Sequence, residues 1–178
     1  MPDELSNMPR AAIAACLLLA ACASPTIHGQ DETQVSSPGR AECSGPNAQE
    51  IALGVSATNS ARAQAGLSPV RANARLARAA AQQACDMAQR GLMTHAGSHS
   101  SGPAQRVKAL GYAPRITAEN IAAGPYDIHR VLQEWNGSGG HLANILIPQV
   151  RDFGIGHAIG PDGRTHFWSA VYAAPSGG

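Results

Sequence analysis

The strongest constraint on the fold is a pair of apolar segments near the C-terminus with a turn between them. Phe153 to Ile159 and Thr165 to Ala173 are rich in apolar, β-branched and aromatic residues, and Gly160-Pro161-Asp162-Gly163 separates them. Short segments of this composition on either side of a glycine- and proline-containing turn predict a β-hairpin. A further strand near Arg115 to Ala118 would join the hairpin in a small sheet.

Helices are predicted before and between these strands, because a capping residue or a proline opens each segment. The four segments are Ala48 to Ala65 after Asn47, the alanine-rich run from Asn73 to Arg90, Pro103 to Gly111, and the run after Asp127 in which Ile128, Val131, Leu132 and Trp135 form an apolar stripe. Helices that come first and strands that come late indicate an α+β or layered α-β-α domain.

The N-terminus predicts export. An apolar run from Ala11 to Ala21 follows Arg10 and ends in small residues, as in a secretory signal segment, here residues 1–21. It is shorter than the ~20 apolar residues that a transmembrane helix needs. Translation from Met8 instead of Met1 would give a cleaner signal, and both starts stay open.

Leu19-Ala20-Ala21-Cys22 resembles the lipobox of bacterial lipoproteins, in which the cysteine is acylated and becomes the mature N-terminus. We therefore expect a lipid anchor on Cys22 that holds the protein at the cell envelope. The alternative is an ordinary signal segment cut nearby and a secreted protein. Residues 22–42 are rich in serine, proline and glycine and predict a flexible tether, and residues 43–178 are long enough for one domain.

Cysteine usage agrees with an oxidising compartment. If Cys16 leaves with the signal and Cys22 carries lipid, Cys43 and Cys85 remain as one possible disulfide or as two separate buried thiols. The formal net charge is only +1, and aromatic residues make up 4% of the chain. Without a basic run or an aromatic surface, no nucleic-acid partner is expected.

Two imidazoles and one carboxylate stand among small and apolar residues in the middle of the chain, at His95, Glu119 and His141. Neutral histidine offers a lone pair and a carboxylate offers charge, so this set suits either a divalent cation or a proton transfer. Spacing alone does not choose between these uses.

An ordered series of motifs resembles the bacterial branch of the CAP superfamily, which includes cysteine-rich secretory proteins, antigen-5 venom allergens and plant pathogenesis-related proteins. The motifs are His95-Ala96-Gly97-Ser98, Arg106 to Tyr112, Glu119-Asn120-Ile121-Ala122, Trp135 to Ser138, Gly140 to Leu146 and Phe153-Gly154-Ile155-Gly156. The resemblance covers roughly Ala48 to Ala174. It implies a three-layer α-β-α sandwich with a small antiparallel sheet between helical layers.

The resemblance also implies an open cavity lined by His95, Glu119 and His141. Many family members carry a second glutamate three residues after a tryptophan, but here Ser138 follows Trp135, so this carboxylate is missing. The neighbouring Glu134 is expected to point elsewhere, since adjacent helical residues face different directions.

Three further residues near the cavity are given structural roles. Asn120 and Asn144 are expected to tie loops to backbone groups around it. Ser138 lies in a near-match to the Gly-x-Ser-x-Gly elbow of hydrolases, but a helix and not a strand precedes it, so a cap or turn role is favoured.

The leading functional prediction is a non-catalytic binding protein of the cell envelope, with a lipid, an ion or an envelope ligand in the cavity. The alternative is a metal-assisted, peptidase-like hydrolase, in which His95 and His141 hold Zn²⁺ and Glu119 is the general base. A second alternative is a structural envelope protein with a vestigial cavity. The expected partner is the membrane, through the lipid anchor, and the sequence does not identify a protein partner.

Overall fold

A computed structural model describes residues 32–177, so the predicted signal segment and the lipidation site at Cys22 lie outside the described residues. Within that range the helices are α1 (Ala48–Gln64), α2 (Ala74–Arg90), α3 (Pro103–Ala109), α4 (Ile128–Gly137) and α5 (Gly139–Ile145). The strands are β1 (Thr33–Gln34), β2 (Glu42–Cys43), β3 (Arg71–Ala72), β4 (Leu92–Met93), β5 (Pro114–Gly124), β6 (Asp152–Ile159) and β7 (His166–Pro175). No helix of residues 32–177 combines the length and apolar character that crossing a membrane would take.

The main sheet has the strand order β2-β6-β7-β5, with β5 at one edge. β6 and β7 form the predicted hairpin, and β5 pairs antiparallel with β7. β5 is longer than the predicted strand at Arg115 to Ala118, because pairing with β7 continues as far as Gly124 opposite His166. The short strands β2 and β3 both pair with β6 at the other edge.

Helices cover both faces of this sheet. One core cluster joins β6 and β7 to α1, α4 and α5, and two others join the sheet to α2 and α3. The predicted three-layer α-β-α sandwich is therefore confirmed. The close contact between β6 and α2 depends on glycine. A Cβ atom at Gly154 would lie 2.1 Å from the backbone nitrogen of Ala77, and one at Gly156 would lie 2.1 Å from that of Ala81.

The helix boundaries follow the capping residues closely. The Asn47 side chain accepts hydrogen bonds from the backbone of Gln49 and Glu50 at the start of α1, and Asn73 serves α2 in the same way. Gly91 ends α2 with a φ of 66°, a left-handed conformation that glycine adopts without strain. α3 ends before the predicted Gly111. The backbone N–H groups of Leu110 and Gly111 each donate to the carbonyl three residues earlier, so the α-helical pattern does not continue.

A disulfide between Cys43 and Cys85 attaches β2 to α2, with a Cα–Cα distance of 5.2 Å. This confirms the predicted pairing. The described part of the predicted tether is also attached to the domain, since β1 pairs with β4 and the Gln34 side chain donates to the Gly91 carbonyl at 3.0 Å. Ordered chain therefore begins before residue 43.

Candidate functional site

The structure brings His95 and His141 to one cleft of about 630 Å³, which we call the His95–His141 cleft. His95 lies in the loop between β4 and α3, and His141 lies in α5. The other side chains around it are Met93, Ile121, Ala122, Ala123, Tyr126, Glu134, Trp135 and Ser138. The cleft therefore has mainly apolar walls and a few polar groups, as small-molecule sites often have.

Glu119 lies beside this cleft and is hydrogen-bonded to His95. Its Oε2 atom is 2.8 Å from His95 Nδ1, and its side chain is 1% exposed. Because a carboxylate can only accept, the Nδ1 atom donates, and the Nε2 atom of a neutral His95 then carries the lone pair. The pair thus orients the imidazole and leaves Nε2 for a ligand.

The second oxygen of Glu119 has two donors of its own. Arg106 Nη2 lies 2.6 Å from Oε1, and the Ser169 hydroxyl donates to the same atom at 2.9 Å. Arg106 is itself buried, and its Nη1 atom donates to the His95 carbonyl at 3.0 Å. Both carboxylate oxygens are therefore occupied by protein donors.

Sequence reasoning did not identify Arg106 and Ser169 as members of this network. Arg106 stood within a quoted motif but was given no role, and Ser169 is a single hydroxyl in an apolar strand. The register explains the second contact, because Ser169 pairs with Ile121, two residues from Glu119 on the same face of the sheet. A lone polar residue in an apolar strand was the available signal.

His141 presents a nitrogen without a protein partner. Its Nδ1 atom is buried, and nothing within residues 32–177 hydrogen-bonds to it. Burial lowers the pKa of His141 below its usual value, and a positive charge on the nearby His95, when that ring is protonated, lowers it further. The imidazole is therefore held neutral and is able to accept or donate one hydrogen bond to a ligand.

Two asparagines fix the segment that carries His141. Asn120 follows Glu119 in β5 and so points to the opposite face, where its amide donates to the His141 carbonyl at 3.1 Å. Asn144 in α5 donates to the Asn120 side chain at 2.8 Å and to the Glu119 carbonyl at 3.2 Å. These contacts attach α5 to the edge strand, which is the tying role expected from their amide groups.

The end of α4 differs from expectation in one respect. Ser138 occupies the N-cap position of α5 as predicted, although its side chain makes no capping hydrogen bond there. Glu134 lines the cleft, contrary to the expectation that it points elsewhere, because the cleft extends along the last turn of α4. Its carboxylate pairs with Arg130 one turn earlier.

The side chains present do not fit a zinc centre in which Glu119 is a ligand. No group of three histidine, cysteine, aspartate or glutamate side chains within residues 32–177 is arranged to hold a metal ion. Glu119 is occupied by Arg106, Ser169 and His95, which leaves two histidines, whereas catalytic zinc sites normally use three protein ligands.

Known proteins resemble this chain in both sequence and fold. Residues 55–172 match the model of the cysteine-rich secretory protein family, called CAP. The uncharacterized protein YkwD of Bacillus subtilis is 30% identical over 103 residues, which are 58% of this chain and 40% of YkwD. The chain thus spans less than half the length of that relative.

Two solved structures share the fold at low sequence identity. An outer surface protein of Borrelia burgdorferi has a TM-score of 0.64 and 17% identity, and the match covers 72% of this chain and 95% of that protein. An extracellular SCP-domain protein of Bacillus anthracis has a TM-score of 0.63 and 22% identity, over 71% of this chain and 40% of that protein.

Proposed function

This chain belongs to the cysteine-rich secretory protein (CAP) family, and on that basis we propose that it is an exported, non-catalytic binding protein of the cell envelope. Its ligand is a small amphipathic molecule of the lipid class, bound in the His95–His141 cleft. One observation carries the non-catalytic part of the proposal: the buried Glu119 carboxylate, 1% exposed, accepts hydrogen bonds from Arg106, Ser169 and His95.

Export is supported by the secretory pattern of residues 1–21 and by the Cys43–Cys85 disulfide, which suits an oxidising compartment. The lipobox-like Leu19 to Cys22 supports a lipid anchor on Cys22. The anchor would keep the domain near the membrane, where an amphipathic ligand is available at high local concentration.

A positioning role for Glu119 follows from its contacts. A general base must reach its substrate, and this carboxylate is 1% exposed and has a protein donor on each oxygen. The same contacts suit a group that holds His95 in one orientation and one tautomer. Glu119 therefore shapes a binding surface.

The cleft itself indicates the class of ligand. Apolar groups from Met93, Ile121 and Ala122 lie beside the imidazoles of His95 and His141. A ligand with an apolar chain and one hydrogen-bonding head would use both parts of this surface. The imidazoles of His95 and His141 are the groups that would face the polar head of such a ligand.

The test is an NMR titration of the purified protein with a lysophospholipid below its critical micelle concentration. We expect saturable shifts at Ile121 and at the Trp135 indole N–H, and an affinity loss of about tenfold or more in Ala123→Phe, which narrows the cleft. Ala52→Phe, a matched change at an exposed site on α1, should bind like the parent. Cleft resonances that stay unchanged in the parent would contradict the proposal.

The metal-assisted hydrolase is the second candidate, favoured by the carboxylate–imidazole pair at the edge of a cleft that holds another histidine. Zinc calorimetry on the parent and on a His95→Ala/His141→Ala variant tests it. Stoichiometric binding that the variant loses, with turnover that Glu119→Gln abolishes, would replace the binding proposal. A folded parent that binds neither lipid nor zinc would favour the structural alternative.

A further inference from the structure

The free edge of β5 runs along the His95–His141 cleft. Ile121, Ala122 and Ala123, three consecutive residues of this strand, all line the cleft. Successive side chains of a strand point to opposite faces of its sheet, so a cleft lined by all three passes around the edge of the strand. β5 is the last strand in the order β2-β6-β7-β5, and no strand in the described part of the chain pairs with its outer side.

We propose that this edge binds the head of the cleft's ligand by strand addition, and that the ligand is an N-acylated peptide. Its peptide group pairs with the outward N–H and C=O of Ala123, and its acyl chain lies against the apolar walls of the cleft. The inference rests on the proposed function and specifies the head group of the lipid-class ligand.

Side-chain contacts show which backbone groups of β5 point away from β7. Asn144 donates to the Glu119 carbonyl at 3.2 Å, and the Trp135 indole N–H donates to the Ile121 carbonyl at 3.4 Å. Backbone groups of an edge strand point alternately towards its neighbour and away from it. Ala123, two residues after Ile121, therefore directs its N–H and C=O outward as well.

The pairing at the other edge of the sheet gives the same alternation. Asn73 N donates to the Phe153 carbonyl at 2.8 Å, so Phe153 points from β6 towards β3 and away from β7. Its neighbour Gly154 then bonds to Val171, the residue opposite it on β7. Val171 lies opposite Glu119 on its other side, so Glu119 has no ladder bond with β7 and belongs to the outward set.

The outward groups of Ala123 form a two-point site for one peptide residue. In an antiparallel pair two opposite residues exchange both N–H···O bonds, so a ligand residue opposite Ala123 is able to use its N–H and its C=O at once. A phosphate or a carboxylate offers acceptors alone and would leave the Ala123 carbonyl unpaired. Ala123 is half-buried, so part of its surface is open to the cleft.

The polar groups beside this edge favour a neutral head with N–H donors. His95 donates from Nδ1 to Glu119, so Nε2 of the neutral ring is an acceptor, and the His95 side chain is 37% exposed. No arginine or lysine of residues 32–177 lines the cleft, whereas the carboxylate of Glu134 does. A charged phosphate head would therefore find no cation here, but a peptide N–H finds an acceptor.

The test is an NMR titration of the purified protein with two neutral probes, each below its critical micelle concentration. N-lauroyl-alanine methylamide presents the N–H and C=O of one residue, and its N-methylalanine analogue lacks that N–H. We expect the first probe to bind at least about tenfold more tightly, because the analogue leaves a carbonyl of the strand edge without a donor. A saturable shift of the Ala123 backbone amide should accompany binding.

Two proline variants test the protein side of the same contact. Ala123→Pro removes the outward N–H without removing a ladder bond to β7, and an edge strand tolerates such a proline. It should weaken binding of the first probe by about tenfold or more. Thr117→Pro, on the outward side of the same strand but outside the cleft lining, is the matched control and should bind like the parent.

Equal affinities of the two probes would overturn the inference and leave the proposed function intact, because the acyl chain is then bound without the strand edge. The inference also fails alone if lysophospholipid binds and neither probe does. Absence of binding by all three ligands would overturn the proposed function as well. If Ala123→Pro does not fold, the comparison of the two probes decides the question on the parent protein.

Discussion

Two carboxylate–histidine pairs in this molecule have the same residue types and different surroundings. Glu119 is hydrogen-bonded to His95 and is also paired with the buried guanidinium of Arg106 at 2.6 Å. Glu50 on α1 pairs, among the residues that the structure describes, with the His157 ring alone, with Oε1 and Nδ1 3.6 Å apart. Arg106 adds a permanent positive charge beside the first pair, and no arginine or lysine of the described residues pairs with the second.

In the second pair, burial shifts the pKa of each group towards its neutral form. Burial raises the pKa of Glu50, and burial together with the charge of His166 lowers the pKa of His157 to about 4. The His157 ring stacks on Trp168 with centroids 4.1 Å apart and shares a 2.9 Å hydrogen bond with His166. The first pair thus includes a buried guanidinium, whereas burial shifts both groups of the second pair towards their neutral forms.

The largest expected effect comes from removing the cation. Arg106→Leu leaves a buried carboxylate without its positive partner, and breaking a buried pair in this way lowers the free energy of unfolding by about 3–5 kcal/mol. Glu50→Gln, at the pair without a guanidinium, should change it by less than about 1 kcal/mol. Urea denaturation at neutral pH measures both.

Two controls separate charge from packing. Arg106→Lys keeps a positive charge and should lose less stability than Arg106→Leu. Adding Glu119→Gln to Arg106→Leu should recover part of the loss, because the unpaired charge is then gone. Equal losses in Arg106→Leu and Glu50→Gln would mean that the two pairs do not differ in the way proposed.

The next largest expected effect is a pH dependence of the folding stability, which comes from His157. Its folded-state pKa is about 4 against 6.5 for a free imidazole, so the unfolded chain binds the proton first as pH falls. Stability is therefore present above pH 6.5 and is lost on acidification towards pH 4, by about 2–3 kcal/mol between pH ~7.5 and ~4.5. The raised pKa of Glu50 acts in the opposite direction, because acid then favours the folded state.

Comparison with His157→Phe isolates this contribution. Phenylalanine keeps a ring against Trp168 but cannot bind a proton, so the variant should lose about 2–3 kcal/mol less than the parent over the same pH range. His141, whose pKa is also lowered, contributes equally to both proteins and cancels in the difference. Parallel stability curves for parent and variant would rule out His157 as the source.

Ser169→Ala is expected to have a smaller effect at the Glu119 centre. It removes one of the donors to Oε1 while Arg106 remains, and a hydrogen bond to a charged group contributes about 1.5 kcal/mol or somewhat more. Ser176→Ala, which removes an exposed hydroxyl bond to the Ala113 carbonyl, should cost less than about 0.5 kcal/mol. Thermal or urea unfolding of both variants gives the comparison, which fails if their losses are equal.

Local signals predicted much of the fold. The caps at Asn47, Asn73 and Asp127 set the starts of three helices, and the turn after Ile159 set the hairpin. The full length of β5 was not predictable in this way, because its second half is defined by pairing with β7 far along the chain. Propensity alone does not contain that partner.

In the candidate site, too, some residues were predicted from the sequence and others depend on tertiary packing. The resemblance to the family indicated His95, Glu119 and His141 as neighbours, and the structure places His95 against Glu119 and beside His141 in one cleft. Arg106 and Ser169 were missed, since a salt bridge between a short helix and a strand depends on tertiary packing. Their absence from the prediction mattered, because their contacts with Glu119 are the basis on which we propose a positioning role for it and not a role as general base.

The smallest expected effect concerns a third carboxylate, Glu134, which lines the same cleft as His95. Its side chain is 43% exposed, and its partner Arg130, one helical turn away, is 61% exposed. Exposed pairs of this spacing contribute only about 0.3–0.5 kcal/mol, so Glu134→Gln should be nearly neutral in urea denaturation, and less costly still in high salt. A loss comparable to that of Arg106→Leu would show that the cleft mouth excludes water. In that case Glu134 would be a second buried carboxylate of the cleft, and its pairing with Arg130 would resemble the buried pairing of Glu119 with Arg106.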